Sequence, residues 1–274
     1  MDNQQKFPLQ TLNDRTCFVL DLDGVIYKGS KAEPGAVEAI QKLRKLGKTV
    51  LFLTNNSTKR PKSIAKKLES LGISCSPEEV MTSAEAASIF CYEKQIGAKS
   101  GVFVVGSEEL REAIKENGIA CSDPLTSDSH LVGFDPNFNY STISDALNAL
   151  NRGVSFLVCN SDASFPADNG QILPGCGAMV GGISGASQRK PDFQIGKPNR
   201  FGLDCLLAKS ELSLKDCVIV GDGLESEIAM ANSLHIPSVW ISDNKTKTAH
   251  RNSNNLTVCP DFQFSSLKDL TDLL

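Results

Sequence analysis

Asp21 and Asp23 are the first side chains in this sequence whose type and spacing suit a reaction. They end the apolar run CFVLDLDG (17–24), so both carboxylates project from a strand end into one crevice. Two such charges repel each other unless a cation or a shared proton relieves them. Gly24 allows the chain to turn sharply away. A hard cation such as Mg²⁺ takes carboxylate and carbonyl oxygens of this kind. The competing explanation is a solvated strand-to-loop turn, and the buried strand that precedes the pair argues against it.

Three further groups follow. Thr54-Asn55-Asn56-Ser57 ends the run TVLFLT, and its hydroxyl and amide donors suit phosphate oxygens. The same residues also serve in ordinary strand-to-helix turns. Lys197, in IGKPNRFG, has the charge to neutralise a phosphoryl group, and it equally suits an exposed loop. Asp222 caps the apolar run CVIV, and Glu225 and Glu227 follow within one turn. An acid there beside Asp21 completes a metal site. Glu227 has an alternative place in the first turn of a helix, where the macrodipole favours it.

The elements that must position these residues alternate between two patterns. Apolar runs at 17–24, 49–54, 101–107, 130–135, 155–160, 217–222 and 238–242 read as strands. Between them, helical spacing recurs: Val37, Ile40, Leu43 and Leu46, then Ile64, Leu68 and Leu71, then about Ile143 to Leu150. Pro34 and Pro61 suit first helical turns, and Gly47 and Gly72 suit the stops. Continuous apolar strands alternating with amphipathic helices predict an α/β fold, a doubly wound parallel sheet covered on both faces. The stretch from 161 to 200 is rich in Gly, Ser, Pro and Asp and reads as loops and a boundary, with a short helix at Ala178–Ile183.

Bulk properties narrow the partners. The chain has 274 residues, enough for one large or two smaller α/β domains, and a net charge of −4 without a long basic run. Nucleic acid is therefore not an expected partner. No apolar run approaches the roughly 20 residues of a membrane span, and the N-terminal MDNQQKFPLQTLNDR lacks the apolar core of a signal peptide, so cytoplasmic residence is expected. The nine cysteines form no CxxC pair and several lie in apolar runs, as small buried hydrophobes do in a reducing compartment.

The order of the four motifs resembles that of the haloacid dehalogenase superfamily of aspartate-nucleophile phosphatases. The similar branch carries a large α/β cap between its second and third motifs, as in the p-nitrophenylphosphatase, phosphoglycolate phosphatase, pyridoxal phosphatase and NagD-type group. DLDGVIYKG, EPGAVEAIQKLRKLGK, FLTNNS, LVGFDPNFNYSTISDALNAL, NSDASFP, LPGCGAMVGGI, GKPN and GDGLESEI carry the likeness, over about 17–270. It implies a Rossmann-like catalytic core over 1–81 and 191–274, with an inserted smaller α/β cap over 82–190. Two places depart from the branch. Ser226-Glu227-Ile228 stands for Thr-Asp-Ile, which shifts a carboxylate by about 1.5 Å, and SVWISDN replaces a usual Thr-Gly.

By that resemblance, Asp21 attacks phosphorus and forms an acyl phosphate, and Asp23 protonates the leaving alcohol and then activates water. Mg²⁺ is the implied cofactor, held by Asp21, the Asp23 carbonyl and Asp222, with Glu227 supporting the shell. Leu22, Thr54, Asn55, Asn56 and Lys197 are the implied phosphoryl-binding positions. In the cap, Asn160 and Asp162 face the substrate or merely form a polar turn. The implied substrates are small phosphate monoesters, and the implied partner is a second copy joined through the cap. A catalytically weak relative that senses or scaffolds phosphorylated metabolites is the alternative, and Glu227 is its support. A phosphomutase fits less well, because the first two motifs stand too close for an inserted helical cap. His130, His235 and His250 lie outside every motif, which leaves a histidine mechanism without support.

Overall fold

A computed structural model describes residues 7–167, 171–242, 250–251 and 257–274. The first six residues of the N-terminal segment, 168–170 of the loop-rich stretch and Asp243 and Asn244 of SVWISDN lie outside them. The chain folds into two compact units. One comprises Met1–Leu53, Ala65–Val80 and Leu203–Leu274, and the other Thr54–Ile64 and Met81–Gly202.

The strands that form the two main sheets are β1 (Cys17–Leu20), β2 (Thr49–Thr54), β3 (Val80–Thr82), β4 (Val102–Val105), β5 (Ser129–Val132), β6 (Ser155–Val158), β7 (Phe193–Gln194), β8 (Cys217–Gly221), β9 (Ser238–Ile241) and β10 (Phe262–Phe264). A six-stranded sheet runs in the order β10-β9-β8-β1-β2-β3. The pairs β1–β8, β1–β2, β8–β9 and β9–β10 are parallel. Every residue of β1 and β8 is buried, as expected of strands covered on both faces. Beside this sheet, Ile40, Leu43 and Leu68 bury the apolar faces of the helices Ala36–Lys45 and Pro61–Ser70. Pro61 opens its helix as expected, whereas Pro34 stands before its own. Gly35, at φ 78°, is the N-cap there, so the helix begins later than the proline suggests.

The sheet order reverses at β1. From β1 the chain builds outward through β2 and β3 on one side, and later through β8, β9 and β10 on the other. In such sheets the crevice beyond the strand carboxyl ends at the reversal is where ligands bind. β1 and β8 run in register, Leu20 opposite Val220, and the Asp21 amide donates to the Val220 carbonyl at 2.8 Å. The first residue after each strand is an aspartate, so the topology sets Asp21 and Asp222 side by side.

The second unit has its own parallel sheet, in the order β7-β6-β5-β4. Its core includes Val105, Val132, Phe156, Val158, Met179 and Ile183. The loop-rich stretch is more ordered than its composition suggests. It contains an antiparallel hairpin of Ser164–Pro166 with Ile172–Pro174, and the short helix extends over Cys176–Ser187. All nine cysteines are free, and six are buried. Among the described residues, no helix is long and apolar enough to cross a membrane.

Candidate active site

Asp21 is buried at the end of β1. The chain then turns tightly: the amides of Val25, Ile26 and Tyr27 all donate to the Leu22 carbonyl, at 3.3, 2.9 and 3.1 Å, and the Gly24 amide donates to the Tyr27 carbonyl at 2.9 Å. Leu22 itself is fully buried. This turn brings Tyr27 beside Asp23. Burial pushes the Tyr27 phenol up, and the charges of Asp23 and Asp21 and a hydrogen bond to Asp23 push it further. The ring is 1% exposed, with the Lys67 ammonium 3.3 Å above its centroid, where the ring's π face attracts a cation.

Gly24, at φ 85°, serves two purposes here. Its backbone conformation disfavours any side chain, and a Cβ at this position would stand 2.1 Å from Oδ2 of Asp222. Asp222 is exposed, while Glu227 is buried. One carboxylate oxygen each from Asp21, Asp222 and Glu227 lie within 4.8 Å of one another. Three acidic groups this close repel strongly, and a hard divalent cation with oxygen ligands is the group that relieves them. The residues present therefore fit Mg²⁺.

Glu227 reaches this cluster by an unusual backbone. Leu224–Ile228 form a single π turn, in which the Ile228 amide donates to the Gly223 carbonyl at 3.2 Å. Such turns are rare and recur at functional sites. Glu227 Oε2 accepts from the Gly223 amide at 3.0 Å and from the Ser226 hydroxyl at 2.7 Å. Its chain folds over Gly221, where a Cβ would meet Glu227 Cγ at 2.2 Å. The longer acid thus has a place built for it.

The second unit gathers the other group of motif residues. Asn55 Nδ2 donates to Oδ1 of Asp162 at 3.1 Å and to the Lys197 carbonyl at 3.2 Å. The Asn55 carbonyl accepts from Nδ2 of Asn160 and from the Ser83 hydroxyl, both at 2.7 Å. Gln194 Nε2 also donates to the Lys197 carbonyl, at 2.7 Å. Thr54, Asn55, Asn160 and Lys197 are buried, and Asp162 is exposed. Asn56 works locally: its Oδ1 accepts from the Thr58 amide, the Thr58 hydroxyl and the Lys59 amide, at 2.9 to 3.0 Å, which shapes the loop into the helix at Pro61. Ser83 and Gln194 do not stand out in the sequence. Ser83 follows an N-cap threonine and reads as a helix opening, and Gln194 gives no signal at all.

Of the histidines, His235 is exposed at a helix C-cap, with φ 55°, away from any motif residue in sequence. His130 is fully buried, stacked between Phe103 and Phe156 at 5.0 and 5.7 Å. Burial lowers its pKa to about 4, against a weaker opposing effect of the hydrogen bond between Nδ1 and the Phe103 carbonyl.

Known proteins resemble this chain in sequence and in fold. The profile of the haloacid dehalogenase-like hydrolases matches residues 18–120, and a second profile, HAD-hydrolase-like, matches 194–270. The acid sugar phosphatase of Staphylococcus saprophyticus is 31% identical over 253 residues, which cover 92% of this chain and 95% of that protein. Among solved structures, the p-nitrophenyl phosphatase from Archaeoglobus fulgidus superposes with a TM-score of 0.82 at 29% identity, over 95% of this chain and 99% of its own. The glycerol phosphate phosphatase from Mycobacterium tuberculosis, in complex with magnesium, gives 0.83 at 25% identity, over 96% and 79%. Likeness of this extent, on a fold whose strand ends carry the paired acids, makes the chain a phosphoric monoester hydrolase that belongs to the haloacid dehalogenase-like hydrolases.

Proposed function

We propose that the chain hydrolyses small phosphate monoesters with the help of Mg²⁺, through a phospho-aspartate formed on Asp21. The convergence of carboxylate oxygens from Asp21, Asp222 and Glu227 within 4.8 Å carries this reading. Asp21, Asp222 and Glu227 would hold the cation with the Asp23 carbonyl, and the cation would neutralise charge on the transferring group. Asp21, at the mouth of β1, is the nucleophile. Asp23, two residues on, gives a proton to the leaving alcohol and later takes one from water. One residue serves both steps because the second reverses the proton movement of the first. The phosphoryl-binding roles of Leu22, Thr54, Asn55, Asn56 and Lys197 rest on their place in the order of motifs within this family.

The names of the relatives point to sugar phosphate, glycerol phosphate and p-nitrophenyl phosphate as substrates to try. We take 82–190 as the inserted cap, with 1–81 and 191–274 as the catalytic core, Asn160 and Asp162 as its substrate-facing residues, and pairing of two copies through it. Three strands of a separate sheet, β4, β5 and β6, lie within 82–190 and support a distinct module there, whereas its fourth strand, β7 at 193–194, lies beyond 190. The decisive assay is hydrolysis of p-nitrophenyl phosphate with and without Mg²⁺. Wild type should turn over, chelation should abolish the rate, and Asp21→Asn should fall to background. Equal rates for wild type and Asp21→Asn would refute the nucleophile. Hydrolysis of a phosphoprotein but of no small ester would refute the substrate class.

A further inference from the structure

The only tryptophan of the chain, Trp240, lies within the stretch SVWISDN that departs from the family pattern. It is on β9, whose backbone pairs Gly221 with Trp240 across from β8, and it is 6% exposed. Its indole Nε1 donates to the backbone carbonyl of Asp222 at 2.8 Å. The ring packs in a small cluster with Ile228 and Val258, with Leu224 and Ala229 against it. Leu224 and Ile228 are the first and last residues of the π turn that carries Glu227. One side chain therefore grips the main chain of one acid of the cluster and supports the turn that presents another. Its indole N–H is bonded to main chain, so its influence on the carboxylates runs through the backbone.

We propose that Trp240 is a positioning residue of the cation site, holding Asp222 and the 224–228 turn so that their carboxylates converge on that of Asp21, and that its emission reports cation occupancy. This rests on the reading of Asp21, Asp222 and Glu227 as a cation site. A buried N–H group bonded to the carbonyl of a ligand residue feels any shift of that peptide, and indole emission follows the local field. Replacement by phenylalanine keeps an aromatic ring in the cluster and deletes the donor, which leaves the Asp222 carbonyl one bond short.

The test uses Mg²⁺ alone, on the whole chain, followed by calorimetry and by tryptophan emission, with melting temperatures in chelator as the control. Wild type should bind Mg²⁺ with an emission change that has the calorimetric midpoint, and Asp222→Asn should lose both signals. Trp240→Phe should weaken Mg²⁺ binding by about three- to tenfold, the effect of one lost hydrogen bond. A merely structural role predicts a lower melting temperature in chelator and an unchanged Mg²⁺ affinity, and that result overturns the proposal while the cation site stands. Emission that stays unmoved in wild type at saturating Mg²⁺ overturns it as well, whether or not Trp240→Phe folds. Failure of wild type to bind Mg²⁺ at all overturns both the proposal and the reading beneath it.

Discussion

Glu227→Asp restores the residue usual in the family branch, and two expectations about it are opposed. If the longer side chain is a defect, the shorter one should improve the enzyme. The structure argues the reverse. The Glu227 carboxylate is fixed by the Gly223 amide at 3.0 Å and the Ser226 hydroxyl at 2.7 Å, and its methylenes cover Gly221. Removal of one methylene withdraws the carboxylate by about 1.5 Å, which is enough to break at least one of these bonds. Hydrogen bonds to charged groups contribute about 1.5–3 kcal/mol each, and the buried methylene about 0.8 kcal/mol. The π turn, whose geometry is fitted to glutamate, cannot easily follow. We therefore expect Mg²⁺ affinity to fall by about tenfold or more, since 1.4 kcal/mol is a factor of about ten, and turnover of p-nitrophenyl phosphate at limiting Mg²⁺ to fall with it. Calorimetric titration with Mg²⁺ reads the first and a cation-dependence of the rate reads the second. A Glu227→Asp enzyme that binds Mg²⁺ as tightly as wild type and turns over faster would refute the reasoning, and the π turn would then be incidental.

Two further outcomes follow from geometry and burial. Gly24→Ala places a methyl group against Oδ2 of Asp222, 2.1 Å away, on a backbone at φ 85°. It should cost about 1–2 kcal/mol of stability from the backbone conformation and a larger share of activity, read as a melting temperature and a Mg²⁺-dependent rate. A loss of stability with full cation affinity would contradict the packing. His130, with its folded-state pKa near 4 against about 6.5 when unfolded, makes a stability contribution that is complete above about pH 6.5 and is lost as pH falls toward 4. The unfolded state then binds the extra proton, and the loss amounts to about 3 kcal/mol between about pH 7 and pH 4. Denaturant titrations at the two pH values should show a shallower dependence for His130→Phe, and identical slopes would exclude a neutral buried histidine.

The acids at strand ends are legible in the sequence because one local signal carries them: a run of buried residues that stops at aspartate. That signal finds the first residue of β1 and of β8, and the parallel α/β fold with them, although the run read over 17–24 ends as a strand at Leu20. Elements that lack the signal stay hidden. β3 and β7 are too short for periodicity to register, and the hairpin at 164–174 is written in residues that elsewhere make loops. A helical turn after Asp222 is expected, but nothing in LESEI distinguishes a π turn from an α one. The partners of Asn55 are beyond reach for a different reason. Ser83 and Asp162 meet it across 28 and 107 positions of the chain, and only the folded backbone decides such pairings. In the sequence Trp240 is only part of the departure SVWISDN; its link to the acids emerges when the indole N–H is seen to face the carbonyl of Asp222.

The glycines next to these residues show why motif letters carry more than their local meaning. Gly24 is expected from its turn, and its positive φ bears that out. Gly221 and Gly196 have no such conformation to explain them. At Gly221 the space of a Cβ is filled by Glu227, with Cγ at 2.2 Å, and at Gly196 it is shared by the Cys159 carbonyl oxygen, at 2.5 Å, and Oδ1 of Asn55, at 2.6 Å. Even at Gly24 the nearer obstacle is a carboxylate oxygen of Asp222. In each case a polar side chain has been brought against bare backbone, where it cannot spread into solvent or adopt another rotamer without losing that contact. A carboxylate held in this way keeps its place against the repulsion of its neighbours, which is what a site of converging acids requires before any cation arrives. The glycine and the acid are therefore one constraint, divided between two positions of the chain, and a substitution at either should be felt at the other.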